Sequence, residues 1–351
     1  MKYDDILEIN NNKLTKKYIQ SLSFEERDAL IDPIFNLLRL TGFLFPDDES
    51  KLKKSYQRII DYEPDLENDE IFNNSSIGTD ICKYFCKQSF FHTTEQGKPD
   101  MIEIFNDDKK LKALIRNRLG MDWLLEDKNG IGVNESFNLS FRMIVQGIRS
   151  MRLVNATSIF KPIVAKYMCM KYSEVGDTVG DYSCGFGARM LGAASCGRKY
   201  IGTDPLTVPE LEVMRDFYEL KDCKLINSGS EDYRGEENSI DLYYASPPYF
   251  SQEVYSKDAS QAYNRGENFF YDVYWKKTLD NVKYMLKPNK IFALNILEKY
   301  DRVIDMAKEQ FGEPFDLVKL KTIKSHLGKN MNKGIDGIQK FEPIYIFKNI
   351  K

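Results

Sequence analysis

The sequence predicts an α/β protein: a largely parallel sheet with crossover helices in the C-terminal part, preceded by a mainly helical N-terminal domain. Three observations predict it. From about residue 158, short apolar runs alternate with helix-period stretches, the pattern of strands joined by crossover helices. A glycine-bearing segment, Asp181-Tyr182-Ser183-Cys184-Gly185-Phe186-Gly187, sits between one such strand and the next helix. A later strand, Ile240–Ala245, ends abruptly in Ser246-Pro247-Pro248-Tyr249. Two consecutive prolines cannot continue a central strand, because neither donates a hydrogen bond and each fixes φ.

Taken in order, residues 1–150 carry helical spacing with frequent interruptions. Leu30, Ile34, Leu37 and Leu38 share one helix face, with Pro33 in the first turn. Leu111, Leu114, Ile115 and Leu119 make another, ending at Gly120. The polar stretch Asn68–Gly78 reads as a loop. The domain boundary is placed at 150, leaving 151–351 for the sheet. Pro162 opens a helix to about Tyr172, with Ile163, Val164, Tyr167 and Met168 along it. Strands follow at Thr178–Tyr182, Tyr200–Asp204, Lys224–Asn227 and Asp241–Ala245, with helices at Ala188–Ala194 and Val208–Leu220. An amphipathic helix over Tyr271–Leu286 leads through Lys287–Lys290 into the strand Ile291–Ile296. A helix over Tyr300–Gln310 precedes two last strands, Phe315–Ile323 and Pro343–Phe347. They read as a hairpin around Gly328–Gly337 and bring the strand count to seven.

Composition bounds the function. A chain of 351 residues suits two domains, and 42% hydrophobic with 29% charged residues is ordinary for a globular protein. No apolar stretch approaches the roughly 20 residues that span a bilayer, so no membrane partner is expected. The start, Met1-Lys2-Tyr3-Asp4-Asp5, lacks a signal-peptide hydrophobic region, and a cytoplasmic protein is expected. The six cysteines form no CxxC pair and the chain has two histidines, so unpaired thiols are expected and a zinc site is not. With a net charge of −3, a nucleic-acid partner would need a local basic face. Two stretches qualify by charge: Val318–Lys340, and the group Arg142, Arg149, Arg152, Lys161 and Lys166.

The strand-end residues suggest chemistry. Glycines after the first strand let backbone approach a ligand, and the helix start offers unpaired N–H groups. Asp181 stands where a carboxylate would meet an ammonium group. Asp204, about twenty residues on at the end of the second strand, stands where an acid holds ribose hydroxyls. Met190 occupies the third glycine position of a dinucleotide fingerprint, which argues against a pyrophosphate cofactor. The pair of acids fits a cofactor with an amino-acid end and a nucleoside end. The rigid exit at Ser246–Tyr249 offers a hydroxyl, carbonyls and a flat ring to a flat substrate with an exocyclic amine.

Residues 158–348 resemble the S-adenosylmethionine-dependent amino-methyltransferases of DNA, which methylate cytosine N4 or adenine N6. The D-x-x-x-G-x-G segment is similar to Asp181–Gly187, the following acid to Asp204, the third-strand segment to Ser228-Gly229-Ser230-Glu231, and the [DNS]-P-P-[YFW] signature to Ser246–Tyr249. Met285-Leu286-Lys287-Pro288-Asn289 resembles an L-K-P-G turn, with Asn289 for glycine, and Phe341–Phe347 the final strand. The helix beginning at Pro162 resembles a cofactor-side segment. The resemblance implies a Rossmann-like seven-stranded methyltransferase sheet. It implies S-adenosyl-L-methionine held by Pro162, Asp181, Cys184, Gly185, Gly187, Asp204 and Ser230, and a base amine held by Ser246, Pro247, Pro248 and Tyr249. Phe186 and Ser230 depart from the family pattern; Glu231 or Asp232 is the alternative to Ser230.

The implied reaction is direct methyl transfer to a base flipped from duplex DNA, as in restriction-modification systems. Ser246 favours cytosine N4 over adenine N6, without excluding the latter. Carbon-5 methylation is disfavoured, because no cysteine follows a proline. An RNA base-amine methyltransferase and an inactive nucleic-acid-binding module remain open. A protein glutamine methyltransferase would usually carry Asn at position 246. The loop Phe250–Phe270, with Tyr255, Tyr263 and Arg265, the basic loop Ser325–Lys340 and the N-terminal domain are the candidates for contacting DNA.

Overall fold

The computed structural model describes residues 1–68, 70–72, 75–94, 97–121, 138–150, 154, 158–248, 254–256, 261–321 and 341–351. The chain forms two compact units: Met1–Asp48 with Phe90–Thr157 and Ser251–Tyr255, and Glu49–Ser89 with Ser158–Phe250 and Ser256–Lys351. The boundary expected at 150 is therefore corrected. Residues 49–89 belong with the sheet.

The first unit is mainly helical, as expected. A small antiparallel ribbon, β1 (Glu8–Ile9) and β2 (Asn12–Lys13), precedes its helices. Ser23 with Glu26, and Asp100 with Glu103, form capping boxes that satisfy orphan N–H groups of the helices Phe24–Asp28 and Met101–Asn106. In the helix Ile31–Thr41, Ile31, Ile34 and Leu38 are buried. In Asp108–Arg118, Leu111, Leu114 and Ile115 are buried, and Gly120 beyond it has φ +77°. Edge-to-face contacts of Phe43 with Phe91, Phe105 and Phe141 tie the segments together.

The second unit is built on β3 (Glu70–Phe72), β4 (Thr178–Asp181), β5 (Lys199–Thr203), β6 (Cys223–Ile226), β7 (Ile240–Ala245), β8 (Leu286–Asn295), β9 (Asp316–Lys321) and β10 (Phe341–Lys348). Their order is β3-β9-β10-β8-β7-β4-β5-β6. All pairings are parallel except those of β10, which runs antiparallel to β8 and β9. This is a Rossmann-like, mostly parallel sheet, with the seven expected strands and one more. The eighth, β3, comes from the Asn68–Gly78 stretch read as a loop. A three-residue edge strand has too few residues to show a period. The strand order reverses between β4 and β7, so the carboxyl ends of these neighbours flank the switch point where ligands bind such sheets.

Several local choices explain the frame. Pro162 is the first residue of the helix Pro162–Tyr172, as its missing N–H favours. That helix packs closely on Ala188–Ser195 because Gly192 has no Cβ; one there would lie 2.6 Å from the Ala165 Cβ. Lys166 is buried and donates to the carbonyls of Ile59 (3.2 Å), Ile60 (2.7 Å) and Tyr62 (2.6 Å), capping the helix Leu52–Ile60. It therefore faces inward rather than contributing to a basic surface. The helix after residue 266 starts earlier than expected, at Glu267, and passes through a π-type stretch, Phe270–Trp275, before Lys276–Met285. β8 begins at Leu286, so the Leu286–Asn289 segment lies inside it as an irregularity. Asn289 there takes φ +61°, a conformation Asn tolerates in glycine's place. The proposed hairpin loop 328–337, the basic loop 325–340 and Arg152 lie outside the described residues. No helix among the described residues is long and apolar enough to cross a membrane. All six cysteines are unpaired thiols.

At the amino-terminal side of β7, buried Asp241 accepts from Lys287 (2.9 Å to each oxygen) and from the Thr178 amide (3.1 Å), with Lys290 at 3.2 Å. Burial alone would raise its pKa, but the bonds from Lys287, Thr178 and Lys290 outweigh it and hold the carboxyl below the ordinary range. A depressed pKa in the folded state stabilises above the unfolded pKa, and that stability is lost as pH falls through the folded value. Asp241→Asn is therefore expected to cost about 1–3 kcal/mol near neutrality. The gap in melting temperature between the variant and the parent should close as pH is lowered below the ordinary carboxylate range.

Candidate active site at the β4–β7 switch point

The sheet brings the two sequence motifs side by side. The loop leaving β4 and the loop leaving β7 are tied by two hydrogen bonds. The Tyr182 hydroxyl donates to the Ala245 carbonyl (3.2 Å), and the Ser183 hydroxyl donates to the Ser246 carbonyl. Pro247 is buried, while Ser246 and Pro248 are half-buried. No hydrogen bond occupies the Ser246 hydroxyl among the described residues. Tyr249 lies outside them, so the expected stacking ring has no described position.

Within the glycine segment, Gly185 has φ +51° and Gly187 φ +79°, both left-handed. The two glycines differ in what surrounds them. A Cβ on Gly187 would lie 2.6 Å from Leu211 Cδ2, so packing as well as backbone demands glycine there. A Cβ on Gly185 would meet nothing nearer than the Ser183 carbonyl at 3.9 Å. Its outer side is open, as close approach of a ligand requires. Phe186 between them is buried, which accounts for a large residue at a position expected to be small.

Asp204 is half-buried. Its Oδ1 accepts from the Leu206 and Thr207 amides (both 2.9 Å) and its Oδ2 from the Gly185 amide (3.1 Å). Burial pushes its pKa up, and the three backbone donors oppose that. With one bond received by Oδ2, that oxygen retains a lone pair for a further donor. Asp204 and the open face of Gly185 therefore adjoin one another.

Asp181 is corrected. Rather than facing an ammonium group, its side chain is wholly buried and internally satisfied. Oδ2 accepts from Arg189 Nε and from the Tyr200 hydroxyl, each at 2.7 Å, and Oδ1 accepts from the Ser183 amide at 3.0 Å. Burial would lower the Arg189 pKa, but the Asp181 charge and hydrogen bond raise it above the ordinary guanidinium range. Cys184 also points inward. A Cβ on Gly202 would lie 2.4 Å from its sulfur, and its amide and carbonyl are engaged by Thr203 (3.0 Å) and Gly187 (3.1 Å). Burial pushes its thiol pKa well up. It shapes the loop and presents no side chain to a ligand.

Pro162 is buried in the helix contact, and its neighbour Phe160 is the residue that reaches the site. The Phe160 ring lies edge-on to Tyr244, with centroids 5.7 Å apart, and beneath the Arg189 guanidinium at 5.5 Å. Ser230 is buried, its hydroxyl paired with Thr278 (2.7 Å) and its carbonyl accepting from Asn281 (2.9 Å). Glu231 is half-buried, its carboxylate folded against Gly229. Burial pushes its pKa up, as does Asp232, while Arg265 and Lys277 oppose. Of the three residues proposed at this strand end, Ser230 is buried, whereas Glu231 is half-buried and Asp232 exposed, so both acids are accessible. Farther along, Asn264 (2.8 Å) and Tyr263 (3.3 Å) donate to the Ser256 carbonyl, and the Arg265 guanidinium lies over Phe269 at 3.4 Å.

Sequence reasoning missed Arg189, Tyr200, Ser183 and Phe160. Arg189, an arginine near the start of an otherwise apolar helix after the glycines, is the one that left a readable signal.

No family model matches the chain, and no curated protein matches it. Solved structures do. The [4+2]-cyclase SpnF is 10% identical over 46% of this chain and 61% of its own, with a TM-score of 0.35. A SAM-dependent methyltransferase from Methanosarcina mazei is 12% identical over 52% of this chain and 97% of its own, with a TM-score of 0.36. The tRNA (m1A58) methyltransferase TrmI from Aquifex aeolicus is 12% identical over 55% of this chain and 70% of its own, with a TM-score of 0.37. This chain thus spans less than two thirds of the cyclase. Identities this low say nothing of substrate.

The two glycines are expected to separate folding from binding. Gly187→Ala should lose stability on two counts, left-handed strain of about 1–2 kcal/mol and the clash with Leu211, and its melting temperature should fall clearly. Gly185→Ala should lose only the strain, while its added methyl obstructs the open face. Calorimetry should then show nucleoside-cofactor binding lost in a protein that still melts cooperatively.

Proposed function

We propose that this chain transfers a methyl group from S-adenosylmethionine to an exocyclic amine of DNA, with cytosine N4 favoured and adenine N6 the alternative. The observation that carries the reading is the pair of bonds from Tyr182 and Ser183 to the carbonyls of Ala245 and Ser246. They set the glycine loop, a cofactor-type feature, against a Ser-Pro-Pro exit suited to an amine.

The residues present fit the cofactor. Gly185 offers an unobstructed backbone, Asp204 a carboxylate oxygen with capacity for a ribose hydroxyl, and Glu231 or Asp232 an acid for an adenine amine. Bound there, the cofactor supplies an electrophilic sulfonium methyl. The chain's own task is to hold the nucleophile. A base amine is weakly nucleophilic because its lone pair is delocalised into the ring. Hydrogen bonds from that amine to the Ser246 hydroxyl and the Pro247 carbonyl localise the pair and aim it, and positioning supplies much of the rate in such a transfer. A base in a duplex has first to be unstacked, at a cost of a few kcal/mol. Ser246, rather than Asn, favours a nucleic-acid amine over a protein glutamine.

The deciding experiment incubates the protein with labelled cofactor and DNA or RNA, then digests to nucleosides for mass spectrometry. N4-methylcytosine in DNA is the expected product. N6-methyladenine would shift the base, and label in RNA alone would shift the substrate. No labelled nucleoside, with no cofactor binding by calorimetry, would overturn the reading. Ser246→Ala should lower turnover on the order of 10²-fold with cofactor affinity little changed. Asp204→Ala should instead weaken cofactor binding by about 10- to 100-fold, as expected for a hydrogen bond to a charged group.

A further inference from the structure

We propose that Ser183 is a positioning residue that clamps the amine-accepting loop to the cofactor loop, with Arg189 holding Ser183 in place. The inference rests on the function proposed above and adds to it the residue that sets the Ser246 geometry. All three polar groups of Ser183 are engaged, each by a different partner. Its amide donates to Asp181 Oδ1 (3.0 Å), its carbonyl accepts from Arg189 Nη2, and its hydroxyl donates to the Ser246 carbonyl. The Arg189 side chain is only 7% exposed and anchored by Nε to Asp181 at 2.7 Å. A half-buried serine is thus bolted at both backbone atoms to a buried ion pair, which leaves its hydroxyl a fixed direction.

Two consequences follow for the amine site. The Ser246 carbonyl already accepts from Ser183, so the acceptors that no described residue engages are the Ser246 hydroxyl and the Pro247 carbonyl. Because Pro247 fixes φ, holding the Ser246 carbonyl sets the path of the chain beyond it. Loss of the clamp therefore misdirects both acceptors without removing either.

The test uses the full chain as wild type, Ser183→Ala and Ser183→Thr, the last keeping the hydroxyl. Amide hydrogen exchange is followed in the peptide containing residues 240–248, with the peptide containing 286–295 as control. Ser183→Ala should exchange up to about tenfold faster in the first peptide alone, because losing this anchor lowers the cost of local opening around Ser246, and Ser183→Thr should restore protection. In methyl transfer, Ser183→Ala should lower kcat about tenfold with the cofactor KM within about twofold, and Ser183→Thr should recover it. Unchanged exchange in Ser183→Ala, or full turnover despite faster exchange, overturns the proposal. A wild-type protein inactive on every nucleic acid overturns the proposed function instead, and the exchange comparison still decides whether Ser183 holds Ser246.

Discussion

The buried ion pair between Asp181 and Arg189 is the interaction on which the candidate site depends. A carboxylate with no exposed surface at the end of a central strand is costly unless fully paired. Here Arg189, Tyr200 and the Ser183 amide meet it. Those partners come from the following helix, the neighbouring strand and the loop itself. Satisfying one charge therefore ties β4, β5, the glycine turn and the helix Ala188–Ser195 into one arrangement. Breaking it by removing one partner would leave the other buried and uncompensated.

From this anchor the geometry spreads outward through Ser183 to Ser246 and through Phe160 to the segment before the helix Pro162–Tyr172. The two glycines divide the remaining work. Gly187 allows the turn to close against Leu211, and Gly185 keeps one face of the loop open. Asp204 braces that loop through the Gly185 amide while keeping an oxygen with room for a donor. The same carboxylate thus shapes the loop and adjoins its open side.

Much of the fold was legible because it rests on short-range patterns. The apolar runs of β4, β5, β6 and β7, the proline that opens the helix at 162 and the glycines at strand ends each follow from local backbone and burial preferences. β3 was not legible, since three residues carry no period. The assignment of residues 49–89 to the sheet-bearing unit was not either. It depends on contacts such as Lys166 with the carbonyls of Ile59, Ile60 and Tyr62, about a hundred positions away.

At the site, the sequence by itself determined that an acid, two glycines, a second acid and a Ser-Pro-Pro exit lie at strand ends, because each interrupts an apolar run where a parallel strand must stop. Only the tertiary structure decided which of these groups face outward. Asp181, Cys184 and Ser230 turned inward because their polar atoms found partners in the protein. Asp204 and Ser246 kept capacity because theirs did not exhaust it. Strand order, a long-range property, put β4 beside β7, and so made Ser183 and Ser246 neighbours across 63 positions of sequence.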